Sequence, residues 1–215
     1  MNNSHENSVL SFERVLFFSD AVFAIVITLL VLELRVPHIE KEHLNEASIR
    51  HALFELVPKF LGFIYSFFIV GMMWIEHHRI FRYIGHYDFG LIARNLLFLL
   101  FVAFIPFPTA LFSEYFSSQT AFILYVLSFA MAAMTKIWIW SYAVRKRADL
   151  LVGDVDDDTI RRISRRSWAV PIVCTMAIGL SFIAIGLGGI CFPLIPLVAH
   201  LLDPTKAVAS APEPE

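Results

Sequence analysis

The sequence predicts an all-α membrane protein with six transmembrane helices per subunit and both termini in the cytoplasm. Three observations carry that prediction. Long uncharged runs recur along the chain, the charged fraction is low, and the basic residues collect in alternate loops. The 215 residues are 58% hydrophobic and 14% aromatic but only 17% charged, whereas a water-soluble domain of this length carries more charge. The 21 phenylalanines and the uncharged runs point to lipid as the solvent. The net charge of −2 names no partner. There is no nucleotide-binding loop, no nucleophile elbow and no nucleic-acid module, so neither an enzyme nor a nucleic-acid partner is expected.

The apolar runs cover residues 17–34, 57–75, 91–112, 121–144, 168–187 and 190–202. The first rises ~27 Å at ~1.5 Å per residue, close to the ~30 Å of bilayer hydrocarbon. The fourth is interrupted by Lys136, which is expected to snorkel towards Arg145 and the cytoplasmic surface. The fifth ends at GLGG. The sixth is short and contains Pro193 and Pro196, so it reads as a kinked span, with a re-entrant element as the alternative. Residues 1–205 read as one six-helix domain, and 206–215 as a disordered tail. The opening MNNSHENSVLSFER lacks the layout of a cleavable signal peptide, so the first apolar helix serves as the insertion signal. Cys174 and Cys191 lie in apolar runs and read as free thiols that pack as small hydrophobes.

Orientation follows from the basic residues. Arg14 precedes the first span, Arg79 and Arg82 follow the second, and Arg145, Lys146, Arg147, Arg161, Arg162, Arg165 and Arg166 lie between the fourth and fifth. The positive-inside rule places these in the cytoplasm. The aspartates of DVDDD resemble the start of a calcium loop. With Asp154 at position one, however, Thr159 falls where glycine is required and Arg165 where the bidentate glutamate is required. The aspartates fit better as the start of a helix.

The first span holds the principal site candidates. At ~100° per residue, Ile25, Leu29 and Leu32 fall within ~60° of one another, with Thr28 ~60° to one side and Asp20 ~140° from Ile25. A lipid-facing aspartate costs ~2.5–3.5 kcal/mol, so Asp20 is expected to face its own subunit. Polar groups of the second and third spans lie at matching depth. Trp74, His77, His78 and Phe81 share one face of WIEHHRIF, and Arg94 and Asn95 open the third span. Ser19, Asp20, His77 and Asn95 are expected to form one buried hydrogen-bond network, with Arg14 or Arg94 complementing the charge. Alternatively, Ser19 and Asp20 merely favour a helix start, or Asp20 and His77 relay protons. The Glu76-His77-His78 cluster lacks an i, i+4 histidine pair and makes a poor metal site. The apolar stripe, by periodicity alone, reads as lipid contact or ordinary helix packing.

RVLFFSDAVFAIVITLLVLEL resembles the signature of the transmembrane protein 175 family of lysosomal and prokaryotic potassium channels, carried here by Arg14, Phe18, Ser19, Asp20 and Thr28. WIEHHRIF and RNLLFLLFVAFIPFPTAL are similar to further family motifs, and the resemblance is close over about the first half of the chain. It implies a homotetramer in a prokaryotic cell membrane, with the first helix of each subunit lining a central pore. Carried over position by position, Ile25 forms the narrowest hydrophobic ring, Leu29 and Leu32 form rings towards the outside, and Thr28 offers hydroxyls near the constriction. Arg14, Phe18, Ser19, Asp20, Trp74, His77, Arg94 and Asn95 then hold the pore helix from behind. Glu33 falls near the mouth, where it either attracts cations or pairs with Arg35. Potassium ions are the expected cargo, and no cofactor is implied. The rivals are a proton-coupled cation transporter using Asp20 and His77, and a membrane enzyme or accessory subunit. The channel reading expects Asp20→Asn to impair folding or assembly.

Overall fold

The structure, a computed structural model, describes residues 2–153 and 155–203, with side chains from residue 13 onward except that of His43. The expected tail at 206–215 lies outside these residues, as does Asp154. Among the described residues there is no β-strand, only an isolated antiparallel bridge between Ile84 and Leu151.

The first helix, α1 (Asn2–Leu29), starts well before the apolar run and tightens into a 3₁₀ turn over Leu30–Glu33. It stops ahead of Val36-Pro37, since a residue preceding proline disfavours helical dihedrals. An amphipathic helix, α2 (Glu46–Glu55), then begins at a capping box in which Asn45 accepts from the Ala47 and Ser48 N–H groups at 2.9 Å. The run at 57–75 is longer than expected: α3 (Val57–Phe81) continues through the charged EHHR stretch, with Pro58 in its first turn. The third run is two helices in line, α4 (Phe89–Phe104) and α5 (Pro106–Glu114), because Pro106 and Pro108 cannot donate to the ladder. Asp88 caps α4 by accepting from Leu91 N–H at 2.7 Å.

The longest apolar helix of the second half is α6 (Gln119–Arg145), followed by the short α7 (Arg147–Leu150). Asp156 then caps α8 (Asp157–Ser167), whose acidic first turn and arginine-rich last turn suit the helix dipole. The fifth apolar run is not one continuous helix. α9 (Ala169–Ser181) ends, and α10 (Ile185–Gly189) restarts after a bend. A 3₁₀ turn (Phe192–Leu194) leads into α11 (Ile195–Leu201). Glycines 186, 188 and 189 with Pro193 and Pro196 keep these pieces short.

Among the described residues four helical segments are long and apolar enough to cross a membrane: Glu13–Glu33, Val57–Phe81, Phe89–Glu114 and Gln119–Arg145. The chain is a multi-pass membrane protein in its composition and helix lengths. α6 is its hub, packed on α4 and α9 through Phe122, Tyr125, Phe129, Ile139 and Trp140. Lys136 does not snorkel to the surface as expected. It is 2% exposed and faces inward, because its face of α6 is the one packed on neighbouring helices. Only 22% of the apolar window of the first span is buried, against 56% in the fourth. α1 therefore sits at the edge of the protomer.

Candidate functional site

α1 has one buried face. Ser19, Phe23, Val26 and Leu30, at spacings of four, three and four, are all 2% exposed or less and pack against α3 and α4. This is the helical repeat of an edge helix that contacts its own subunit along one stripe. The opposite face is open. Ile25 is 57% exposed, Leu29 41% and Leu32 64%, and Phe18, Ala21, Ala24 and Thr28 are exposed with them. The 3₁₀ turn eclipses residues three apart, so it brings Leu32 nearly into line with Leu29.

Thr28 Oγ donates to the carbonyls of Ala24 and Ile25, at 3.0 and 2.8 Å. Its proton is thereby turned towards its own helix, and its lone pairs remain free on the open side. Glu33 lines an outer depression of about 490 Å³ with Arg35, Lys59, Phe107, Leu111 and Glu114. There Lys59 pairs with Glu114 at 2.6 Å, while Glu33 makes no ion pair among the described residues.

Behind the helix the expected single polar network is divided in two. In the first part, Asn95 Nδ2 donates to Ser19 Oγ at 2.9 Å, and that hydroxyl donates to the Val15 carbonyl at 2.9 Å. His77 Nε2 donates to Asn95 Oδ1 at 2.9 Å. All three side chains are buried, and the His77 ring is stacked between Phe81 (4.3 Å) and Phe98 (5.4 Å), with Phe23 at 5.8 Å. In the second part, Trp74 Nε1 donates to Asp20 Oδ1 at 2.8 Å. Ser19 and Asp20 are adjacent and so diverge by ~100° around the helix. One reaches α4 and the other reaches the outer side of α3. For the same reason the face of WIEHHRIF splits, with His77 and Phe81 buried and Trp74 and His78 exposed.

Neither arginine complements Asp20. Arg14 is exposed and Arg94 turns the other way. Arg94 donates to the Gly90 carbonyl at 2.7 Å, and its guanidinium lies 3.8 Å from the Tyr142 ring centre and 4.6 Å from that of Trp138. α4 packs on α6 as well as α1, and the aromatic rings of α6 offer a flat cation its preferred surface. Phe18 points to the open side with Ile25 and takes no part in the polar contacts.

Sequence reasoning missed other polar contacts. Asp88 caps α4 and also accepts from Tyr142 at 2.6 Å and Lys146 at 2.7 Å, joining α4 to α6. Burial acts to raise the Asp88 carboxyl, but the Lys146 ammonium, the Tyr142 hydroxyl and the Leu91 N–H outweigh it and hold the group at about 2. An acid directly before an apolar helix was the available signal. Ser66 links Thr109 (2.9 Å) and Tyr125 (3.1 Å) across three helices, and Glu76 accepts from Arg79 (2.6 Å) and Arg166 (3.1 Å). Of these only the Glu76–Arg79 pair, three residues apart on one helix, was legible at short range; the other partners lie far away in sequence.

Residues 14–106 match the family described as the endosomal/lysosomal potassium channel TMEM175. A potassium channel of Chamaesiphon minutus is 37% identical over 186 residues, covering 84% of this chain and 90% of that protein. One of Streptomyces collinus is 33% identical over 175 residues, covering 80% and 82%. The human endosomal/lysosomal proton channel TMEM175 is 39% identical over 102 residues, 45% of this chain and 20% of that one. Among solved structures, the Chamaesiphon minutus homologue of the lysosomal potassium-selective channel TMEM175 superposes with a TM-score of 0.75 at 33% identity, covering 89% of this chain and 98% of that one. A helix with its apolar face turned away from its own subunit, anchored behind by Ser19, Asp20, His77 and Asn95, is thus found in a chain that belongs to the TMEM175 family of ion channels.

Proposed function

We propose that the chain is a potassium-selective channel in which four copies place α1 around a central axis. The observation that carries this reading is the open apolar face of α1 opposite a face that is wholly buried. On an isolated protomer that stripe has no partner; in a four-fold assembly it would line the pore. Ile25 would form the narrowest ring, with Leu29 and Leu32 above it and Glu33 drawing cations to the mouth. α9 and the α10–α11 segment complete six crossings per subunit, which leaves both termini in the cytoplasm. The bacterial channels among the relatives support a prokaryotic cell membrane.

An isoleucine ring offers potassium no ligand. It controls flow by width and wetting: when narrow it expels water and ions, and when wider it admits a partly dehydrated ion. Potassium holds its hydration shell less tightly than sodium, so the dehydration cost favours potassium. The Thr28 oxygens, with their protons committed to the helix, face the ion as acceptors and replace part of the lost water. Selectivity of this origin is lower than that of a carbonyl-lined filter. No cofactor enters the scheme.

The test is passive potassium flux through liposomes containing the purified protein, with sodium as the comparison. Ile25→Ala should raise the flux and lower the preference for potassium; unchanged flux and selectivity would remove the constriction from Ile25. The proton-coupled transporter gains little from the geometry, since Asp20 and His77 share no hydrogen bond and His77 is walled by three phenyl rings. The structure also changes what Asp20→Asn should do. An asparagine oxygen still accepts from Trp74, so this variant should assemble and conduct, whereas Asp20→Leu should not. Potassium movement only when an opposing proton gradient is supplied, lost in Asp20→Asn, would favour the transporter.

A further inference from the structure

A cavity of about 140 Å³, with no α1 residue in its lining, opens where α3, α6, α9 and α11 meet. Most of its wall is apolar, with Ile69, Met72, Ile75, Val170 and Ile195 among the lining residues. One end is charged: Lys136, Arg79 and Arg166 converge there against the single carboxylate of Glu76. That carboxylate is already committed to the two arginines, at 2.6 and 3.1 Å. Lys136 is 2% exposed and makes no hydrogen bond or ion pair among the described residues. The adjoining opening adds Arg82, Arg162 and Asp203, the last 3.9 Å from Arg166.

A buried ammonium with no partner is costly, and a membrane protein retains one where something compensates it. Glu76 and Asp203 bring two negative charges to the five cations of the two openings, and only Glu76 of the two lines the cavity with Lys136. What is missing is a further anion with several acceptor oxygens, within reach of a point-charge lysine and two guanidiniums. The apolar wall adds a second requirement, since a free inorganic anion leaves that wall unsatisfied. Ile75 is 51% exposed beside the charged end, so the cavity opens sideways along an apolar helix surface rather than only to water. The opening lies where α3 ends and α8 delivers its arginines, the side that basic residues mark as cytoplasmic and that anionic headgroups attract.

We propose that this cavity binds the phosphate group of an anionic membrane lipid, with Lys136, Arg79 and Arg166 on its oxygens and an acyl chain along Met72, Ile75 and Val170. Glu76 holds the two arginines in place and sets the site against dianions that would repel it. The bound lipid would tie α3 to α6, α9 and α11 without touching the proposed pore.

Native mass spectrometry of the detergent-purified protein tests this, with phosphatidylglycerol and phosphatidylcholine supplied in equal amounts. The wild type should retain phosphatidylglycerol in preference to phosphatidylcholine. Lys136→Met keeps the side-chain volume and removes the charge; it should lower that retention about fivefold, the factor that ~1 kcal/mol gives. Arg79→Gln lies nearer the surface and carries the same expectation should Lys136→Met fail to fold. Equal retention by wild type and either folded variant overturns the proposal. So does thermal protection of lipid-free wild type by millimolar inorganic phosphate with none by phosphatidylglycerol, which would identify a free anion as the ligand.

Discussion

Asn95 is the residue on which the rear of α1 depends. Its side-chain amide gives one proton to Ser19 on α1 and takes one from His77 on α3, so a single side chain joins three helices at 2.9 Å on both sides. Replacement by leucine keeps the volume and leaves the His77 donor buried with no acceptor, a loss of about 1–3 kcal/mol. Asn95→Leu should therefore lower the thermal midpoint in detergent, and a midpoint equal to that of the wild type would show the contacts to be dispensable. Asp20, by contrast, sits at the edge of the buried face and holds Trp74 alone. The histidine is also walled by the rings of Phe23, Phe81 and Phe98, which hold it by packing as well as by its hydrogen bond.

At the scale of elements, polar contacts between helices do what apolar packing cannot do in lipid, where the tails compete for every hydrophobic surface. The clearest case outside the membrane-spanning segments is the Asp88 latch between the start of α4 and the end of α6. Its carboxyl is held at about 2, below the ordinary value near 3.8. A depressed carboxylate contributes stability that is present above the ordinary value and is lost as pH falls through the folded one. Asp88→Asn removes the charge and keeps an acceptor for Leu91. Its midpoint should lie below that of the wild type near neutrality, and the gap should close as pH falls from about 4 towards 2. A gap independent of pH would assign the loss to packing. Both side chains are partly exposed, at 32% for Asp88 and 45% for Lys146, so the effect should be modest and weaker in salt.

At the scale of the whole molecule, the question is what covers α1. If four copies meet along its open face, Ile25 side chains from neighbouring subunits face one another across the axis. Ile25→Cys should then form inter-subunit disulfides under mild oxidation, seen as dimers on a non-reducing gel. Phe182→Cys, at 72% exposure between α9 and α10, should remain monomeric. Native Cys174 and Cys191 are buried and should not interfere. Equal cross-linking at both positions would deny α1 its axial place.

The first half of the chain was largely legible in the sequence, because its signals are local. Apolar runs of bilayer length, prolines at 106 and 108, acids before helices and a 3.6-residue repeat each act within a few turns. Together they determined an all-α membrane protein, its four long spans and a first helix with Ser19 and Asp20 turned away from Ile25. The second half was less legible, since glycine and proline weaken helices by amounts that depend on their neighbours, and the fifth run broke at residues 182–184. The partners of polar groups were decided only by tertiary structure. Adjacent residues on a helix diverge by ~100°, so which of Ser19 and Asp20 meets Asn95, and whether Arg94 turns to α1 or to the rings of α6, depends on how helices distant in sequence are rotated against one another. The same holds for Lys136. Its place in an apolar run was plain from the sequence, while its burial beside Glu76, Arg79 and Arg166 required four helices to be brought together.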